Sequence, residues 1–85
     1  MKIKVEENEI KVVGRGGYNH TFNYGYLSID ETGFQAVDNV TETLIKHVEA
    51  DEDVFVESKG GVVAAKMIQR KMEDKIKREV TLISL

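Results

Sequence analysis

Two spacings of apolar residues run along this chain, one of period two and one near 3.6. Lys2-Ile3-Lys4-Val5 and Glu9-Ile10-Lys11-Val12-Val13 alternate polar with apolar, the pattern of a half-buried strand. Glu6-Glu7-Asn8 between them suits a turn, so a β-hairpin is expected. Ile3, Val5, Ile10 and Val12 would face inward, with the lysines on a wet face or an exposed edge. Farther on, Val54-Phe55-Val56 is a β-branched and aromatic run too short for a helix of its own, and a strand is expected over 53–58.

Lys59-Gly60-Gly61 breaks that run, and the period then changes. Ala65, Ile68, Met72 and Ile76 fall on one helical stripe, widened by Val62, Ala64 and Met67. Lys66, Gln69, Arg70, Glu73 and Lys77 lie off it, with Glu73 and Lys77 spaced as a supportive pair. This helix frays near Arg78, and Val80-Thr81-Leu82-Ile83 reads as a closing buried strand.

An earlier helix is expected over 34–49, capped by Asp30 or Thr32 in the turn Asp30-Glu31-Thr32-Gly33. Phe34, Val37, Val40 or Thr41, Leu44, Ile45 and Val48 form its apolar face. Ala50-Asp51-Glu52 is an acidic connector. Residues 14–26, GRGGYNHTFNYGY, are a glycine turn followed by an alternating stretch, and Tyr26-Leu27-Ser28-Ile29 finishes a strand.

The order is β-β-(β)-α-β-α-β in a single domain of 85 residues. Helical crossovers imply parallel neighbouring strands, and the hairpin adds antiparallel ones. The expected fold is therefore a two-layer α/β sandwich: a mixed sheet with an N-terminal hairpin and two helices on one face. A chain this short buries roughly two-thirds of its surface, so a homodimer would add stability.

Charge changes the picture because it is segregated. The net charge is −3, yet residues 1–29 carry +1, residues 30–57 carry −8 and residues 58–85 carry +4. Local potential, not the total, steers a polyanion. The seven cations from Lys59 to Arg78 could track a phosphate backbone, or could be neutralised by the acidic helix alongside. There is no cysteine, so disulfides and cysteine-based metal sites are excluded. No apolar run approaches membrane-spanning length and none resembles a leader, so a cytoplasmic location is expected.

The candidate chemistry is sparse. Lys59, Gly60 and Gly61 stand at a helix start, where unpaired amides and the helix dipole favour an anion. The phosphate loop and dinucleotide spacings are both absent. Arg15 with Tyr18, Phe22, Tyr24 and Tyr26 in a glycine-rich stretch suits single-stranded nucleic acid, where rings stack on bases. The competing reading packs Phe22, Tyr24 and Tyr26 into the core or a dimer contact. His20 and His47 lack metal-ligand spacing, and Ser28, Ser58 and Ser84 stand in no nucleophile motif. A non-enzymatic protein without cofactor or metal is expected.

The stretch DVFVESKGGVVAAKMIQRKM resembles the middle of the Alba family of chromatin and RNA-binding proteins. Lys59 and Gly60 fall on that family's basic-residue-glycine pair, and Val62-Val63-Ala64-Ala65 on its small-residue helix start. QAVDNVTETLIKHV occupies the place of the first helix, and the sporulation stage V protein S group is similar there too. The resemblance covers about residues 34–84. It implies a β-α-β-α-β core, like that of Alba and the C-terminal part of translation initiation factor 3, often dimeric and binding DNA or RNA through backbone contacts. The family's terminal hairpin is missing, and its lysine-rich turn is replaced by Asp30-Glu31-Thr32-Gly33.

Two functions follow. In the first, Arg15, Lys59, Lys66 and Arg70 contact phosphate, Gly60 and Gly61 let backbone approach, and Tyr18 and Tyr24 stack on RNA or single strands. In the second, Asp38, Glu42, Glu49 and Asp51 imitate phosphates and occupy the basic groove of a host protein, as a phage- or virus-encoded inhibitor would.

Overall fold

A computed structural model describes residues 1–23, 31–60 and 62–84, with side chains described outside 31–36 and Ser84. The elements are β1 (Lys2–Val5), β2 (Glu9–Val13), a 3-10 turn (Arg15–Gly17), β3 (Asn19–Asn23), α1 (Glu31–Ile45), β4 (Phe55–Ser58), α2 (Val62–Ile76) and β5 (Thr81–Ser84). They form a five-stranded mixed sheet in the order β3-β2-β1-β4-β5.

The hairpin forms at the expected residues, with Ile3 opposite Val12 and Val5 opposite Ile10. Alternation then sorts the two sheet faces. Ile3, Val5, Ile10, Val12 and Val56 are fully buried beneath the helices, beside Val37, Val40 and Leu44 of α1 and Ala65, Ile68 and Met72 of α2. Lys2, Lys4, Lys11, Phe55 and Glu57 project from the opposite face, which no described element covers. The sandwich of two layers, both helices on one face, is the expected architecture.

One expectation about connectivity fails. Only the crossover through α2 joins neighbouring parallel strands, β4 and β5. The crossover through α1 runs from β3 to β4, and β2 and β1 lie between them. The reason is that β1 pairs in parallel with β4, Ile3 opposite Val56, which makes the N-terminal strand the centre of the sheet. Its lysines are therefore wet through a face and not through an edge.

The helices also differ in detail. α1 begins at Glu31 and ends at Ile45, so Thr32 lies inside the helix and cannot cap it. Asp30, the strand expected over 26–29, and Tyr24 and Tyr26 lie outside the described residues. In α2, Val62 was expected in the buried stripe and is instead 51% exposed, because it lies to the side of the stripe through Ala64, Ala65, Ile68 and Met72 that the helix buries. β5 is an edge strand, so Thr81 is exposed and Leu82 and Ile83 are only half-buried, although Val80 before it is buried.

α2 stops where Lys77 takes a left-handed backbone, φ 59°, and its N–H donates to the carbonyl of Glu73 at 2.9 Å. This is the helix-ending geometry that glycine favours. The expected Glu73–Lys77 pair is lost there, since Glu73 instead accepts the N–H of Val80 at 3.0 Å and Lys77 sits 3.7 Å from Asp74. Lys77→Gly should raise stability by about 1 kcal/mol, because a side chain in the left-handed region costs about 1–2 kcal/mol. A urea unfolding midpoint checks this, and a lower midpoint refutes it.

Candidate nucleic-acid interface

Two charged clusters sit at opposite ends of the sheet. Arg15 follows β2, whose last residue, Val13, lies opposite Lys2 at the start of β1. Lys59 follows β4, whose last residue, Ser58, lies opposite Val5 at the end of β1. A strand of this length separates them by roughly 15 Å. The sequence-based grouping of Arg15 with Lys59 is thus not brought together.

The first cluster is structural. Gly16 and Gly17 have φ of 68° and 81°, so the chain after Arg15 turns through backbone angles that side chains resist. That turn folds Arg15 onto the connector between α1 and β4. Its guanidinium reaches Asp51 at 2.6 Å and Glu49 at 3.5 Å. The hydrogen bond to Asp51, then its charge, hold the arginine in its charged form. Arg78 donates from the other side to the carbonyls of Glu49 and Ala50.

Glu52 lies at the centre of this hub and is 2% exposed. Its Oε2 accepts from the Met1 ammonium at 2.9 Å and from the Arg15 N–H at 3.1 Å, and its Oε1 accepts from the Glu49 N–H at 3.1 Å. Burial pushes the carboxyl upward, but the ammonium and the two backbone donors outweigh it and leave the group below the usual carboxylate range. The sequence shows Glu52 only as part of an acidic connector. Nothing in an acidic run marks which member turns inward.

Tyr18 belongs to this end too. Its ring stacks on His47 with centroids 4.2 Å apart and planes 15° apart, and it packs against the core. Gly14 passes close to the same ring. Burial raises the Tyr18 phenol above its ordinary value. His20 and Phe22, on the helix side of β3, continue this row at 4.4 Å edge to face. Tyr18 therefore has one ring face taken. Tyr24 lies outside the described residues.

The second cluster is built by the β4–α2 turn and the outward side of α2. Gly60 has φ of 96°, which lets Lys59 leave the sheet immediately after its N–H donates to the carbonyl of Val5. Gly61 is not described. On α2, Lys66 and Arg70 stand one turn apart and point away from the buried stripe. Val62, Val63 and Met67 join them around a cleft of about 220 Å³. Val62 and Val63 are 51% and 46% exposed, an apolar patch in the turn before the two cations.

Ion pairing sorts the cations between these places. Arg15 is held by Glu49 and Asp51, and Lys71 by Asp38 across the α1–α2 seam. Lys59, Lys66, Arg70 and Lys75 have no ion-pair partner among the described residues. Of the four acids singled out in the sequence, Asp38, Glu49 and Asp51 are engaged, and Glu42 has no ion pair there. Ser58 is buried, and its hydroxyl has no hydrogen-bond partner among the described residues. No cluster of three or more His, Asp or Glu among the described residues could hold a metal ion. No described helix is long and apolar enough to cross a membrane.

No family model, curated protein or solved structure matches the chain.

Proposed function

We propose that the chain is a small non-enzymatic nucleic-acid-binding domain of Alba-like build that holds RNA or single-stranded DNA by its phosphates. Lys59, Lys66 and Arg70 are the contacting cations. The observation that carries this reading is the sorting of charge: the acidic connector and α1 take Arg15 and Lys71, and the outward face of α2 keeps its cations without acidic partners among the described residues. A polyanion is the ligand such a face attracts most strongly. The preference for single strands rests on Val62, Val63 and Met67 beside those cations. A splayed base or sugar can cover apolar side chains that a duplex backbone cannot reach.

The reading of an acidic inhibitor is less well supported, because three of its four carboxylates already hold cations of this chain.

Fluorescence anisotropy with a labelled oligouridine, a matching single-stranded DNA and a duplex tests the proposal. Affinity should fall linearly with salt on logarithmic axes, with a slope of roughly 0.7 per phosphate contact on a single strand. Lys66→Ala should reduce that slope by about one contact. Binding indifferent to salt, or a slope unchanged by the substitution, would overturn it.

A further inference from the structure

The two edges of the sheet are unlike. β3 exposes asparagine, histidine and threonine. β5 is Thr81-Leu82-Ile83-Ser84, without charge, proline, glycine or bulge, and it pairs with β4 in unbroken register. Monomeric proteins ordinarily blunt such an edge with charge, proline or a bulge. Just before the strand, the outward N–H and C=O of Val80 are taken by the Glu73 and Gln69 side chains of α2, and along Thr81–Ser84 no strand or hydrogen bond is seen on the far side among the described residues. Thr81 donates to the carbonyl of Val54, so the parallel ladder turns Thr81 and Ile83 toward β4. The N–H and C=O of Leu82 are thereby left facing outward.

We propose that β5 pairs antiparallel with β5 of a second copy about a two-fold axis through Leu82. The axis stands normal to the sheet. Leu82 of each copy then donates to and accepts from Leu82 of the other, the hydrogen-bonded pair of an antiparallel ladder. Thr81 faces the second copy's Ile83, and the two Ile83 side chains lie diagonally on the open sheet face, about 7–8 Å apart. A second copy is the fitting partner because this register is self-complementary and sets no like charges against each other. The isologous contact also uses up the edge on both chains and stops at two.

The arrangement has a consequence for the basic face. α2 packs over β4 and β5, so it is the helix nearer this edge. A two-fold normal to the sheet puts both α2 helices on one side, and two sets of Lys59, Lys66 and Arg70 share a single surface.

Sedimentation equilibrium without nucleic acid tests the pairing independently of any binding function. The unaltered chain should show twice its monomer mass. Ile83→Lys and Ile83→Glu should each give folded monomers, with folding checked by circular dichroism. An equimolar mixture of the two should recover the double mass, since opposite charges then meet across the axis. A monomeric unaltered chain, variants that stay dimeric, or a mixture that stays monomeric would each overturn the proposal.

Discussion

Glu52→Gln should cost about 3–5 kcal/mol of folding stability, the range for breaking a buried ion pair by removing one partner. Both carboxylate oxygens accept hydrogen bonds, from Met1, Arg15 and Glu49. An amide has one acceptor oxygen, so its NH2 must face a donor whichever way it turns. The Met1 ammonium would also lose its only ion-pair partner among the described residues while staying buried. For a domain of this size each kcal/mol moves the melting temperature by roughly 4–8 °C. The expected fall is therefore at least about 12 °C. Thermal melts followed by circular dichroism check it, and a change of only a degree or two would show that water already serves these groups.

The same residue sets an acid limit. The folded-state carboxyl of Glu52 lies below its ordinary value. Its contribution is thus fully present above the unfolded pKa and is lost as pH falls through the folded one. Stability of the unaltered chain should decline across the acid range more steeply than that of Glu52→Gln. Parallel curves would mean that other carboxylates dominate acid unfolding.

The double substitution Lys66→Glu with Arg70→Glu should weaken the proposed nucleic-acid binding at least about a hundredfold. Two hydrogen bonds to charged groups at about 1.5–3 kcal/mol each supply that factor before any repulsion is added. Neither side chain has an ion-pair partner among the described residues, so the fold should survive. Arg15→Ala is the opposite case. It releases Glu49 and Asp51 at the far end of the sheet, and should loosen the α1–β4 connector without changing affinity. Anisotropy titrations of both variants at one salt concentration make the comparison. Equal losses in the two would move the interface away from α2.

Periodicity located most of the fold, because strands and helices are defined by which residues recur on one side. The hairpin at Lys2–Val5 and Glu9–Val13, the strand before Lys59 and the helix from Val62 were all legible this way. Helix ends were less so. Glu31-Thr32-Gly33 carries turn chemistry yet continues α1, and the end of α2 depends on a left-handed Lys77 that no propensity scale marks. Strand neighbours were the least legible. The central position of β1 depends on parallel pairing with a strand fifty residues away, and the period of either strand is the same whoever sits beside it.

The same division holds for the candidate site. Residue types and their order along the chain establish a short strand, a Lys-Gly break and an amphipathic helix with cations on its outer side. They also establish the acidic middle third and the absence of cysteine chemistry. Charge pairing is a different kind of fact, since it depends on distances between side chains that lie far apart in sequence. Only the folded chain commits Arg15 to Glu49 and Asp51, turns Glu52 inward against Met1 and covers one face of Tyr18 with His47. Only the folded chain leaves Lys66 and Arg70 beside the exposed Val62 and Val63. A carboxylate and a cation a few ångströms apart neutralise each other, and the same two groups across a sheet do not.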